Sequence, residues 1–272
     1  MNAVDLLAPA FAVCVLLLVT HSYFGLHVLA RGIVFVDIAL AQVALLGSSV
    51  AFWYGFEAHS AAAHGLTFGA ALAAALGFAA LSRVKDKTTR EVAIGTVYAV
   101  ATAGSVVILS RSAAGMEELK AMLNGNILWA QWRDVGLIAA AAVPLAILHA
   151  AFFKRFHAAS FGTARAAFRW EALFFVSFAV IVTFALDQAG VLLVFAYLIV
   201  PAFSASLIVG GFVGAYGLAI LLGLFATLAG LGLSFKADLP TGATMVVVLG
   251  VLPLLALIAR SLLRGRSAGV RA

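Results

Sequence analysis

From Pro9 to Ala259 the chain is a succession of apolar runs of roughly 17 to 25 residues, each long enough to cross about 30 Å of hydrocarbon as a helix. Hydrocarbon offers no water to backbone N–H and C=O groups, so a spanning segment must satisfy them internally, as helices and closed barrels do. These runs are continuously apolar and do not alternate, which predicts helices. Only 10% of the residues are charged, against about 25% in ordinary soluble domains. No soluble domain fits between the runs. The expected fold is an all-α, polytopic integral membrane protein in which residues 1–272 form a single transmembrane domain.

Nine spans are expected, near 8–30, 33–53, 65–82, 91–110, 134–153, 171–187, 190–209, 212–233 and 242–260. Residues 112–133, SAAGMEELKAMLNGNILWAQWR, are too polar for a span and predict an interfacial or re-entrant helix, with Trp129 and Trp132 at an interface. The N-terminal MNAVDLLAPAF places Asp5 where a cleaved signal would carry basic residues, so the first run is expected to be a true span. Nine crossings put the termini on opposite sides. With the N-terminus outside, 13 of the 17 Lys and Arg residues fall on the inner side, a bias that predicts N-out and C-in. The net charge of +6 is spread over short clusters between spans, as topology determinants are, and forms no basic domain for nucleic acid. The lone Cys14 lies in the first run and has no partner for an internal disulfide.

No phosphate-binding loop, zinc-binding His-Glu-x-x-His helix or nucleophile turn occurs in the sequence, so the chain carries no recognisable catalytic machinery and is not expected to be an enzyme. Polar residues at membrane depth remain. Asp37 sits in RGIVFVDIALAQVALLG; ionisable residues inside spans usually face a bundle interior or a water-filled path. It either borders such a path or pairs with an inner cation such as Arg31. His59 and His64, five apart beside Glu57 in an outer loop, either catch a metal at a mouth or are solvated. His21 and His27, six apart and so about 120° from one another's face, are expected to be buried and hydrogen-bonded. His149 and His157 flank an inner basic cluster and are expected to be interfacial anchors. The loop KRFHAASFGTARAAFRW, 154–170, is amphipathic and basic, fitting either a docking element for a cytoplasmic partner or a positive anchor.

Five stretches together resemble the permease family of ATP-binding-cassette importers for zinc, manganese and iron. RGIVFVDIALAQVALLG is similar to the family's second-helix segment, REVAIGTVYAV to an inner-side helix start and LNGNIL to its Gly-Asn-Ile-Leu element. VLLVFAYLIVPAFSASLI resembles its proline-containing span, and DLPTGATMVVV its outer Asp-x-Pro-x-Gly-Ala-Thr motif. The resemblance implies a homodimeric permease in a bacterial cytoplasmic membrane, with a soluble periplasmic or extracellular metal-binding protein delivering a divalent metal, zinc or manganese. Two copies of a cassette ATPase subunit would work from inside, and the metal would be substrate, with no cofactor held by this chain. The loop 154–170 takes the place of the coupling segment, with Phe161, Gly162, Arg165 and Phe168 as contact candidates. It lacks the acidic residues usual in the family's Phe-Asp-Pro-Glu form.

The second helix also departs from the family. The resemblance implies Asp-x-x-x-His there, an i, i+4 pair on one face, but Ile38 and Gln42 occupy those places and Asp37 comes one residue early. Asp37 and Gln42 are five apart and so about 140° from one another around a regular helix, unless a π-bulge realigns them. Asp37, Gln42, His59, His64 and Asp238 are the translocation-path candidates. Asp238 is also expected to cap the helix that follows Pro240. The alternative function is a stand-alone secondary transporter with Asp37, Glu91 and Asp238 as coupling carboxylates.

Overall fold

The computed structural model describes residues 3–57, 60–111, 113–162 and 166–269, with side chains from Leu7 to Leu263. Among them all regular structure is helical: α1 (Ala3–Arg31), α2 (Val36–Trp53), α3 (Ala61–Leu81), α4 (Lys87–Leu109), α5 (Ala113–Asn124), a 3-10 turn (Ile127–Trp129), α6 (Trp132–Ala151), α7 (Phe153–Phe161), α8 (Phe168–Ile208), α9 (Phe212–Ala237), α10 (Thr241–Gly250) and α11 (Leu252–Gly269). Eight segments are long and apolar enough to cross a membrane, with α10 and the start of α11 counted as one and α8 counted once. At about 1.5 Å per residue the 41 residues of α8 would make a straight rod of about 60 Å, twice the hydrocarbon thickness. It is not straight: Gly190, at φ 71° and ψ 165°, leaves the helical region.

The contacts of α8 along α1 run in opposite orders on the two sides of that break. Before it, Glu171 pairs with Arg31, and Phe174 and Phe178 both pack on Phe24. After it, Tyr197 meets Cys14, and Leu198 and Ala202 lie against Gly25. The first limb therefore runs antiparallel to α1 and the second parallel to it.

Two ends of the bundle follow from what converges there. Arg31, Ser82, Arg90, Ser160 and Glu171 gather at one end. Phe52, His64, Asn126, Asp134 and Gln188 gather at the other. Helix starts are fixed by short-range chemistry: Ser60 Oγ accepts from Ala63 N at 3.2 Å, and the Asp86 carboxylate accepts from Thr89 N at 2.7 Å, filling orphan donors of the first turn. Inside the helices several Ser and Thr hydroxyls turn back to carbonyls one turn earlier, as Ser49 does to Leu45 and Thr183 to Ala179, which satisfies them without a tertiary partner. α2 is central, packed on α3, α4 and α8, and mostly buried, whereas α6 leaves most of its surface outward.

The predicted interfacial segment is the pair α5 and 3-10 turn, with Trp129 and Trp132 exposed. It docks on the break in α8. Asn126 N donates to Gln188 O at 2.9 Å, and a Cβ on Gly190 would lie 2.3 Å from Gly125 N. Gly242 closes the same junction, its own Cβ position 2.3 Å from Asn124 O. Two of the stretches that carry the family resemblance, LNGNIL and DLPTGATMVVV, thus meet at the break, immediately before VLLVFAYLIVPAFSASLI begins at Val191.

Candidate functional site: polar groups in the bundle

α2 is a regular helix from Val36 to Trp53 with no π-turn in it, so Asp37 and Gln42 stay about 140° apart around its axis. Both are buried, Asp37 with no exposed surface at all. Neither carboxylate oxygen of Asp37 has a hydrogen-bond partner, and Gln42 Oε1 has none. Asp37 stands in the first turn of α2, where the positive end of the helix dipole favours a carboxylate.

The ion pair between Asp37 and Arg31 is not formed. Arg31 instead bonds through Nη1 to Glu171 Oε2, donates from Nε to Ser160 Oγ at 2.9 Å, and lays its guanidinium 4.0 Å from the centre of the Phe174 ring. Ser160 Oγ lies 2.7 Å from His27 Nδ1, so the hydroxyl links the Arg31 guanidinium to the His27 ring. Glu171 is 140 residues from Arg31, and nothing local in the sequence marks it as the partner.

The histidines divide. His21 and His27 are buried as expected, His21 Nδ1 donating to Leu17 O at 2.9 Å. His149 is not an interfacial anchor: it is buried, stacks on Phe156 at 3.9 Å, and has Nδ1 3.1 Å from Tyr23 Oη. The reason is α7, whose apolar Phe156 turns inward and covers the ring while Lys154 and Arg155 face outward. His157 is half-buried and stacks on Phe161 at 4.7 Å.

At the opposite end a cleft of about 380 Å³ is lined by His64, Glu118, Asp134 and Asp187 together with Asn126 and Gln188. His59 lies outside the described residues. Among the described residues no group of three or more His, Cys, Asp or Glu side chains stands close enough to hold a metal ion, so the cleft supplies oxygen and imidazole donors without a preformed ligand set.

Asp238 does not cap the helix after it. It is the C-cap of α9, in the left-handed region at φ 52° and ψ 44°, a conformation that Asp tolerates better than most residues. Its exposed side chain forms no cap on α10, whose first turn follows Pro240. In the segment 154–170, Phe161 is exposed and ends α7, Gly162 follows in extended backbone, and Phe168 opens α8 with the Arg83 guanidinium 4.7 Å above its ring. Arg165 lies outside the described residues.

Comparison with known proteins places this arrangement. The model of the ABC 3 transport family matches residues 3–260. The chain is 30% identical to the manganese transport system membrane protein MntC of Listeria innocua over 237 residues, covering 85% of this chain and 82% of that protein. It is 24% identical to the protein of the same name from Halalkalibacterium halodurans, over 90% of this chain and 84% of the other. Among solved structures, PsaBC from Streptococcus pneumoniae in complex with Fab superposes with a TM-score of 0.73 at 20% identity, covering 92% of this chain and 90% of that one, which establishes a shared fold. With the family model spanning nearly the whole helical bundle, the chain belongs to the ABC 3 transport family.

Proposed function

We propose that the chain is the membrane permease of an ATP-binding-cassette importer that moves a divalent metal, manganese foremost, with ATP hydrolysed by a separate subunit. The observation that carries this is the family match over residues 3–260, supported by relatives named for manganese transport. The donors on α2 agree in kind: carboxylate and amide oxygens suit manganese, whereas the imidazole missing at position 42 suits zinc. The chain crosses the cytoplasmic membrane nine times, α8 counting twice because its limbs run in opposite directions along α1. The Arg31 end faces the cytoplasm, where the positive clusters of the sequence fall, and the His64 cleft faces outside.

In this arrangement a soluble metal-binding protein delivers metal to the His64 cleft of a homodimer. Two ATPase copies dock at α7 and the segment after it, around Phe161, Gly162, Arg165 and Phe168. Asp37 and Gln42 lie between the two ends. Their acceptors are buried without partners, which is costly in a low-dielectric interior, so a cation passing α2 would be stabilised there.

The test is the metal content of a strain lacking the chain, grown in limiting manganese. Manganese content should fall and recover on complementation, with zinc unchanged. A selective loss of zinc would reassign the metal, and no change in either would overturn the proposal.

A further inference from the structure

The Arg31 end holds a feature that transport of a cation does not use. A cleft of about 560 Å³ opens where the ends of α1, α3, α4, α7 and α8 converge, and Arg31, Arg83, Lys85 and Arg90 line it against one lining carboxylate, Glu171, with Asp86 and Glu91 beside Arg90 just outside the lining. The Glu171 carboxylate is committed to Arg31. Two guanidinium nitrogens remain buried without a hydrogen-bond partner: Arg31 Nη2, on a side chain only 6% exposed, and Arg90 Nε. A metal cation would be repelled here; the donors call for an anion with several oxygens.

The rest of the lining decides which anion. Between the cations part of the wall is apolar, with Ala30 exposed and Leu81 and Val84 partly exposed on it. Inorganic phosphate would satisfy the guanidinium groups and leave that wall wet. A ligand with an anionic head and an apolar body would cover both. The cleft also lies at the level where several spans end, and basic pockets between transmembrane helices bind anionic lipid headgroups.

We propose that this cleft binds the phosphate headgroup of an anionic phospholipid, with Arg31 and Arg90 donating to the phosphate oxygens, Lys85 adding charge at the rim and the apolar wall taking the glycerol and first methylenes. Only the choice of the inner leaflet rests on the orientation proposed above; binding in detergent does not depend on it.

The test uses the purified full chain, delipidated in detergent and reloaded with phosphatidylglycerol, phosphatidylcholine or inorganic phosphate, read by native mass spectrometry and thermal unfolding. Phosphatidylglycerol should be retained and should stabilise. Removing a cation near a membrane surface weakens binding roughly fivefold, so Lys85→Gln with Arg90→Gln should weaken retention roughly 30-fold. Lys85→Gln alone, on an exposed turn, should give the roughly fivefold effect even where the Arg90 change impairs folding. Lys120→Gln, at the opposite end, should change nothing. Equal retention of phosphatidylcholine, or stabilisation by inorganic phosphate as large as by phosphatidylglycerol, would overturn the proposal. So would a double variant that retains phosphatidylglycerol as well as the parent does.

Discussion

Gly190→Ala should be among the most damaging single-methyl changes in this protein, and the structure sets its size. Gly190 has φ 71° and ψ 165°, a region open essentially to glycine, where another residue costs about 1–3 kcal/mol. Its Cβ would also stand 2.3 Å from Gly125 N, 2.6 Å from Asn124 C and 2.7 Å from Leu123 O. All three are backbone atoms and cannot rotate away, so relief requires the loop after α5 to shift, an overpacking cost of about 1–3 kcal/mol. The sum is about 4 kcal/mol. Gly32 provides the control: it has φ +65° but nothing within 4 Å of its Cβ position, so Gly32→Ala should cost only the left-handed strain, about 1–2 kcal/mol. In detergent-solubilised protein followed by thermal unfolding, these translate to losses of roughly 12 °C and roughly 4 °C. Equal losses for the two variants would refute the packed junction of Asn124, Gly125 and Gly190.

Arg31→Gln or Glu171→Gln should each destabilise by about 3–5 kcal/mol because each leaves a buried charge without its partner, whereas Arg31→Met with Glu171→Leu should be far milder; thermal unfolding of the three variants checks this, and an additive double variant would contradict it. Asp37→Asn should leave membrane abundance intact and reduce manganese uptake, since the amide keeps the shape but not the charge; normal uptake would remove Asp37 from the path. Asp238→Gly should raise stability by up to about 1 kcal/mol by relieving the left-handed conformation, while Asp238→Ala should lower it; a glycine variant less stable than the parent would contradict the C-cap.

The apolar runs made most of the bundle legible, because length and hydrophobicity are what a bilayer selects. Most helix ends lie within a few residues of the expected bounds, while the last expected span, 242–260, is two helices that run on to Gly269, and the polar stretch 112–133 forms α5 and its 3-10 turn. Asp37 stood out for the same reason: a lone carboxylate in an apolar run is visible without any structure. Pairings were the part that local pattern did not carry. Arg31 has Glu171 as its partner across 140 residues, and a span-by-span reading offered the nearer Asp37. His149 was expected at the interface because Lys154 and Arg155 are close in sequence; only the packing of Phe156 over its ring turns it inward. Asp238 precedes a helix and follows another, and the sequence does not say which it caps. The break at Gly190 falls on the first residue of the expected span 190–209, not in the gap before it, and the docking of Gly125 upon it depends on tertiary contact.

The central claim is that this permease moves manganese only when coupled to a cassette ATPase. Its most direct measurement is radioactive manganese uptake into proteoliposomes holding the chain with its ATPase and metal-binding protein, compared with the chain alone under an imposed proton or sodium gradient. The account predicts uptake that requires ATP and all three proteins, with no uptake by the chain alone. Gradient-driven uptake by the chain alone would contradict it and assign the protein to secondary transport.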